Sequence, residues 1–205
     1  MIGIINYGLG NIKAIGNVFE KNGLEYEFID NQSNLKKASK LILPGVGSFD
    51  YAMQCLNSSK LRETIEYLVF NKSIPILGIC VGMQILAESS EEGVMKGLGW
   101  IDGAILSFNN FQNIDSPLPL PHIGWNNVKQ VKNNLLFDGL NNPEFYFLHS
   151  YFFKELSEEV VLSKTNYIFD YTSSFVKDNI FGVQFHPEKS HENGEQLLLN
   201  FTKNF

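Results

Sequence analysis

One cysteine lies where a strand is predicted to turn sharply into a helix. Cys80 sits between Gly78 and Gly82, after the apolar run Ile74–Leu77 and before Met83–Glu88. The first segment is typical of a buried parallel strand and the second of a helix. A side chain at such a turn points outward, and the start of a helix favours a thiolate over a thiol. Cys80 is therefore a candidate nucleophile, although by itself it fits a small core side chain equally well.

A histidine and a glutamate two residues apart provide the other groups that cysteine chemistry needs. His186 and Glu188 flank Pro187. In an extended segment these two side chains face the same way, and proline stiffens the spacing. A carboxylate can then hold the imidazole in one tautomer while the other ring nitrogen faces a thiol. With Cys80 the set predicts acyl transfer, whereas the tripeptide alone fits a buried histidine beside a solvated glutamate.

Backbone N–H groups near the cysteine form a candidate oxyanion site. The Gly-rich turn Pro44–Gly47 follows a predicted strand and offers the N–H groups of Val46 and Gly47. The N–H of Val81, the residue after the cysteine, is the second candidate donor. One such donor lowers a reaction barrier by roughly 3–4 kcal/mol. By itself the turn is also compatible with a purely structural role.

The elements that must position these residues follow from the hydrophobic pattern. In the first half the predicted strands are Ile2–Asn6, Tyr26–Ile29, Lys40–Leu43 and Ile76–Ile79. The predicted helices between and after them are Asn11–Asn22, Phe49–Leu56, Leu61–Asn71 and Val81–Glu88. The second half predicts short strands and a closing helix: Ile101–Phe108, Asn127–Val131, Glu144–Leu148, Val160–Ser163, Ile180–Phe185 and then Glu192–Phe201. This order predicts one α/β domain, with a largely parallel central sheet flanked by helices and extra antiparallel strands in the second half.

Such a sheet brings the three candidate loops together. In an open parallel sheet, ligands bind beyond the carboxyl ends of the strands. The loops that hold Val46, Cys80 and His186 each follow a predicted strand. We therefore expect these loops to meet at one rim of the sheet.

Composition argues against several classes of function. The chain has 205 residues and a net charge of −6, and its largest basic cluster is Lys36-Lys37, so nucleic-acid binding is not expected. No apolar run reaches the length of a membrane span, and two cysteines do not form a disulfide framework, so we expect a cytoplasmic protein. No group of residues has metal-ligand spacing, and Tyr7–Asn11 lacks the third glycine of a dinucleotide site, so neither a metal nor a cofactor is expected.

Seventeen phenylalanines indicate an aromatic-rich core.

The motifs around the cysteine and the histidine resemble those of class I glutamine amidotransferases. The resemblance rests on the segments Gly78–Gln84 and Phe185–Glu188. Further segments are similar to the glutaminase subunits of imidazole glycerol phosphate synthase: Asn6–Asn11, Leu43–Phe49, Pro121–Asn126, Phe147–Tyr151 and Glu188–Ser190. The resemblance runs from Ile2 to about Phe201, so it implies one glutamine amidotransferase type 1 domain over residues 1–205.

The resemblance implies a reaction, a partner and a set of site residues. Such subunits hydrolyse glutamine to glutamate and ammonia, and a cyclase subunit with a (β/α)₈ barrel receives the ammonia through a channel, in histidine biosynthesis. The implied triad is Cys80, His186 and Glu188, with backbone donors at Val46, Gly47 and Val81. The implied glutamine pocket contains Gln84, Glu92, Ser150 and Tyr151. The implied cyclase-facing residues are His122, Trp125, Asn126, Tyr146 and Lys189.

Alternative functions remain open from the sequence. The segments Gly97–Gly103 and Ser190-His191 look more like paralogues found with surface-polysaccharide genes, which are thought to feed ammonia to an amidino-sugar synthase. A non-catalytic scaffold that binds a partner is a second alternative, and the matched Cys80, His186 and Glu188 argue against it. A free-standing γ-glutamyl hydrolase is a third, mildly disfavoured by the aromatic-rich composition and the Pro121–Asn126 segment.

Overall fold

The computed structural model describes residues 1–111, 118–154 and 156–205, and up to Ser90 it alternates strands with helices. The strands are β1 (Ile2–Ile5), β2 (Tyr26–Ile29), β3 (Lys40–Gly45), β4 (Ile76–Cys80) and β5 (Ser89–Ser90). The helices are α1 (Ile12–Lys21), α2 (Gln32–Leu35), α3 (Phe49–Ser58), α4 (Arg62–Glu66), which continues as a π-helical turn (Tyr67–Asn71), and α5 (Val81–Gln84). Within the described ranges, no helix is long and apolar enough to cross a membrane.

The second half is mostly strands and short turns. The strands are β6 (Ala104–Ser107), β7 (His122–Asn127), β8 (Lys129–Gln130), β9 (Glu144–His149), β10 (Tyr151–Lys154), β11 (Val161–Asn166), β12 (Asp170–Lys177) and β13 (Ile180–Val183). Short 3₁₀ turns lie at Phe108–Phe111, Leu135–Phe137 and Pro187–Lys189. The closing helix α6 (His191–Asn204) extends beyond the predicted bounds at both ends.

An eight-stranded sheet in the order β2-β1-β3-β4-β13-β12-β11-β8 organises the molecule. Its first five strands run parallel, and β12, β11 and β8 continue it antiparallel. Register places Gly45 opposite Cys80, and Val183 opposite Ile79. The three candidate loops therefore follow three adjacent strands at the same rim. This arrangement confirms the predicted α/β class with a mixed central sheet.

The core is rich in aromatic rings, as the composition predicted. Strands β1 and β4 are buried along their whole lengths. The rings of Phe145 and Phe185 stack with centroids 4.0 Å apart, and Phe147 meets Phe185 edge-on. Full burial of one such side chain contributes about 1.5–3 kcal/mol. Because Phe185 directly precedes His186, this packing also fixes the backbone that carries the catalytic candidate.

The structure differs from the sequence prediction just after the cysteine. Helix α5 ends at Gln84, whereas the pattern predicted a helix to Glu88. The carbonyls of Ile85, Leu86 and Ala87 accept hydrogen bonds from the N–H groups of residues 98–100, which turn back over the chain. Because these carbonyls pair with residues 98–100, they cannot accept the hydrogen bonds that would continue the helix. The short helix has a weaker dipole at Cys80 than a longer helix would provide.

The sequence did not predict strands β5, β7, β10 and β12. Two of these, β12 and β10, complete the large sheet and the three-stranded sheet. Strand β12 contains the polar run Thr172–Ser174, which lacks the alternation of an ordinary strand. Its serines are buried, and Ser163 Oγ lies within hydrogen-bond distance of the hydroxyls of Ser173 and Ser174. Strand β10 pairs with β6 in a separate three-stranded sheet. Both strands depend on long-range neighbours that a local pattern does not reveal.

Candidate active site

Cys80 occupies a sharp turn between strand β4 and helix α5. Its backbone has φ 54° and ψ −115°, a region that non-glycine residues rarely adopt. A Cβ on Gly82 would lie 2.0 Å from the carbonyl oxygen of Leu43, and a Cβ on Gly78 would lie 2.8 Å from the oxygen of Gly82. Glycine at position 82 therefore lets the turn pack against strand β3, and glycine at position 78 lets helix α5 fold back onto strand β4. The strained turn holds the Cys80 side chain at the carboxyl edge of the sheet, where it is 3% exposed.

The side chains of His186 and Glu188 lie in contact, as the sequence predicted. Nδ1 of His186 lies 2.9 Å from Oε1 of Glu188, and both side chains are buried. The local backbone differs from the fully extended segment expected, because Pro187–Lys189 forms a 3₁₀ turn after an extended His186. The N–H of His186 donates to the carbonyl of Tyr146 at 2.8 Å, which ties the loop to β9.

The electrostatics of His186 point to a charged imidazole beside the sulfur. Burial by itself lowers its pKa, but the charge of Cys80 and a hydrogen bond to Cys80, together with Glu188, raise the pKa to about 10. The imidazolium is therefore favoured at neutral pH when the sulfur is a thiolate. Sulfur, imidazole and carboxylate thus follow one another in contact order.

A cavity of about 320 Å³ opens over the sulfur, near the lower end of the range for small-molecule sites. Most of the residues that the sequence assigned to the triad and the pocket line it. These are Val46, Gly47, Cys80, Val81, Glu92, Ser150, Tyr151 and His186, joined by Pro121, Leu148, His149 and Lys189, the last of which the sequence assigned to the partner face. The cavity can hold a small polar molecule within reach of the cysteine.

The Gly-rich loop after β3 borders the cavity as predicted. Gly47 has φ +87°, and a Cβ there would meet nothing within 4 Å, so glycine is required for conformation and not for space. A Cβ on Gly45 would lie 2.2 Å from the N atom of Gly82, so here the close approach itself requires glycine. These two glycines set the loop with Val46 directly against the cysteine turn.

Glu92 brings a partly buried carboxylate to the cavity wall. Its Oε2 accepts a hydrogen bond from the N–H of Phe49 at 2.7 Å. Burial raises the pKa of Glu92, the Phe49 N–H opposes that shift, and the charge of Asp50 adds to it. The side chain is therefore fixed at the first turn of α3 and offers an acceptor to a cationic ligand group.

Gln84 lies behind the cavity instead of lining it. It is 2% exposed, and its Nε2 donates to the carbonyl of Tyr151 at 3.2 Å and to Oε1 of Gln184 at 3.0 Å. Sequence reasoning missed Gln184, whose Nε2 lies 3.8 Å from Sγ of Cys80. The signal available was one amide side chain within the otherwise apolar segment Phe181–Phe185.

Four of the five residues assigned to a partner face belong to the β7–β9 hairpin, that is, the separate two-stranded antiparallel sheet of β7 and β9, and Lys189 lies on the adjacent 3₁₀ turn. Trp125 is 45% exposed, and its ring stacks on His191 with centroids 5.0 Å apart. Tyr146 and Asn126 are half-buried, and Nζ of the exposed Lys189 lies 5.4 Å from the Tyr146 ring centroid. His122 is buried, so it supports the hairpin from below and offers no surface for contact in this state.

His122 belongs to a buried network that the sequence did not indicate. Its ring stacks between those of Phe147 and Tyr167. Its Nδ1 lies 3.3 Å from Nε2 of His149 and 3.1 Å from the hydroxyl of Tyr171. The network joins the hairpin to the cavity wall, where His149 lies.

Comparisons with known proteins agree with this geometry. The family model described as "Glutamine amidotransferase class-I" matches residues 3–205. The chain is 49% identical to imidazole glycerol phosphate synthase subunit HisH of Leptospira borgpetersenii, over 98% of each chain. It is 46% identical to the subunit of that name in Bdellovibrio bacteriovorus, over 99% of this chain and 100% of that one.

The same fold occurs in solved structures with little sequence identity. A structure described as a crystal structure of glutamine amidotransferase superposes with a TM-score of 0.75 over 98% of this chain and 97% of the other, at 17% identity. At that identity the likeness concerns the fold alone. Together with the full-length family match and the relatives above 40% identity, it leads to one conclusion. This chain belongs to the class I glutamine amidotransferase family.

Proposed function

We propose that this chain is the glutaminase subunit of imidazole glycerol phosphate synthase and that it hydrolyses glutamine to glutamate and ammonia. The observation that carries the proposal is the contact order of Cys80, His186 and Glu188 at the floor of a cavity of suitable size. The full-length relatives named as HisH subunits support the same activity.

The geometry supports a thioester mechanism. Sγ of Cys80 attacks the side-chain carboxamide carbon of glutamine, and the C–N bond breaks as His186 gives its proton to the leaving ammonia. A water molecule, deprotonated by His186, then attacks the thioester and releases glutamate and the thiolate of Cys80. The N–H groups of Val46 or Gly47 and of Val81, which border the cavity, are the proposed donors to the oxyanion. Glu92 is suited to the α-ammonium group of the substrate.

The proposed partner is a cyclase subunit with a (β/α)₈ barrel that docks on the β7–β9 hairpin. Register pairs Ile123 with Leu148, and Trp125 with Tyr146. The exposed side chains of Ile123, Trp125 and Leu148 give this face an apolar character, and Leu148 also borders the cavity. Free ammonia in water at neutral pH becomes ammonium, which is not a nucleophile. A partner over this face would keep the ammonia dry.

The decisive variant is Cys80→Ala, with Cys55→Ala as its matched control. Cys80→Ala should abolish glutamine-dependent product formation by the complex and leave ammonia-dependent formation unchanged. Cys55→Ala should retain both, because Cys55 lies on α3 and does not line the cavity over the sulfur in the described structure. Loss of both activities in Cys80→Ala would mean that the residue supports folding or assembly instead.

The alternative functions predict different results in one assay of glutamine hydrolysis. The chain is measured alone and then with a cyclase and its nucleotide ligand. Activation by the cyclase supports the coupled subunit, full activity alone supports a free-standing hydrolase, and no activity in either state supports a scaffold. The segments Gly97–Gly103 and Ser190-His191 keep an amidino-sugar synthase as the second candidate acceptor. Activation by that synthase and not by the cyclase would select it.

A further inference from the structure

We propose that Gln184 is a further catalytic residue, which donates its side-chain N–H to the sulfur of Cys80 and favours the thiolate. This inference rests on the proposed role of Cys80 as nucleophile. Nε2 of Gln184 lies 3.8 Å from Sγ, within the longer range of hydrogen bonds to sulfur. A neutral amide donor stabilises a neighbouring anion without introducing a second titrating group.

The orientation of the Gln184 amide follows from a fixed acceptor. The carbonyl oxygen of Tyr151 can only accept, so the nitrogen of the Gln84 amide must face it, at 3.2 Å. The second hydrogen on that nitrogen points to Gln184, at 3.0 Å, so Gln184 must present its oxygen there. The Gln184 nitrogen is then left to face the sulfur. A flipped amide would set two donors against each other and an oxygen against the thiolate.

Burial makes this arrangement both rigid and effective. Gln184 is 0% exposed and Gln84 is 2% exposed. The backbone N–H of Gln184 donates to the carbonyl of Ser173 at 2.9 Å, which holds the residue in line with β12. In such a low-dielectric setting a hydrogen bond to a charge is stronger than in water, and an unpaired amide is costly. The hydrogen bond between the two buried amides therefore holds the Gln184 nitrogen behind the sulfur.

The donor complements His186 without replacing it. When His186 gives its proton to the leaving ammonia, the imidazole no longer supplies a positive charge. The Gln184 N–H keeps its position during the whole reaction. It donates a hydrogen bond to the thiolate again when hydrolysis of the thioester regenerates it. Its effect should therefore be largest on the fraction of enzyme with an ionised sulfur, and smaller on the affinity for glutamine.

The test is the pH dependence of Cys80 alkylation by iodoacetamide in the Cys55→Ala background. Alkylation requires the thiolate but not glutamine, so failure of this inference can be told apart from failure of the proposed function. In Gln184→Met, the midpoint of the pH–rate profile should move up by about one pH unit (about 1.4 kcal/mol), because the variant loses a hydrogen bond to the charged form of the sulfur. Below the midpoint this corresponds to about a tenfold slower reaction.

Two variants separate the effect from a general loss of packing. Gln84→Met removes the group that orients Gln184, so it should move the midpoint in the same direction by a smaller amount. Gln130→Met is the matched control, since Gln130 makes a similar amide-to-carbonyl bond to Leu140 at 3.2 Å on β8. It should leave the profile unchanged. The other titratable groups near the sulfur are the same in all variants: Tyr7, Glu92, His149, Tyr151, Tyr171, His186, Glu188 and Lys189.

A midpoint in folded Gln184→Met that stays within 0.2 pH units (about a 1.6-fold change in rate) of the parent would overturn the proposal. If that variant does not fold, the ¹⁵N-labelled parent chain provides the answer. The side-chain amide resonances of Gln184 should titrate with the alkylation midpoint and lose that titration in Cys80→Ala. Resonances that do not respond to pH in the parent, or that still titrate in Cys80→Ala, would equally refute it.

Discussion

At the scale of single residues, the chemistry depends on whether the imidazole of His186 is protonated. Glu188 lies 2.9 Å from Nδ1 and is buried beside it, so its carboxylate both orients the ring and favours the imidazolium. The charge of Cys80 contributes in the same direction. The triad was recognisable from residue types and spacing, because His186, Pro187 and Glu188 are neighbours in sequence. Gln184 was not, because its role depends on the partner amide of Gln84, which is distant in sequence.

A Glu188→Gln variant should lower kcat for glutamine by about ten- to a hundredfold. The amide still accepts from Nδ1 but lacks the charge, so the pKa of His186 falls from about 10. Since the protonated ring is lost as pH rises through that pKa, the alkaline limb of the kcat profile should move to lower pH. An unchanged limb would show that Glu188 has only a structural role.

At the scale of elements, the parallel strands bring the candidate loops to one rim of the sheet, and the loops set the detailed geometry of the site. Periodicity predicted β1 to β4 to within two residues, because each is a short run of mostly apolar residues, and β1, β3 and β4 are buried almost throughout. It did not predict where α5 ends, since the carbonyls after Gln84 are taken by the chain at residues 98–100. It also missed β12, whose hydroxyl groups become buried only through pairing with β11 and β13. The local sequence thus predicted the strands whose carboxyl ends form the rim of the sheet. The elements around that rim depend on contacts between segments that are distant in sequence, which local sequence does not reveal.

The loop after β3 can be tested with two glycine substitutions. Gly47 (φ +87°) and Gly23 (φ +67°) both require positive φ, and a Cβ on either meets nothing within 4 Å. Each change to Ala should therefore lower the free energy of unfolding by about 1 kcal/mol, measured by urea denaturation. Only Gly47→Ala should also lower kcat, by about tenfold or more, because it displaces a candidate oxyanion donor. Equal kcat in both variants would contradict that role.

At the scale of the whole molecule, a buried pair of neutral histidines links the hairpin to the cavity. Burial lowers the pKa of His149 to about 3, although the hydrogen bond to the Tyr151 carbonyl opposes this shift, and nearby His122 and His186 lower it further. Burial lowers the pKa of His122 to about 4. Both rings therefore resist protonation in the folded state. In the unfolded chain they return to ordinary values near 6.5.

Stability should consequently fall as the solution is acidified below about pH 6.5. The unfolded state binds protons there that the folded state excludes, so each histidine lowers the free energy of unfolding by about 1.4 kcal/mol per pH unit. This loss continues down to the folded pKa values near 4 and 3. His122→Asn should reduce the slope of stability against pH between 6.5 and 4.5, measured by urea unfolding. An identical slope would exclude His122 as a source of acid sensitivity.

The stacked ring on the hairpin has an optical consequence. The chain has two tryptophans, and they lie in contrasting surroundings: Trp100 is 7% exposed, whereas Trp125 is 45% exposed against His191. Emission at long wavelength therefore comes mainly from the hairpin, and any protein that covers it shifts that emission towards the blue. Trp125 is therefore an intrinsic fluorophore on the proposed docking face, and it reports binding there without an added dye.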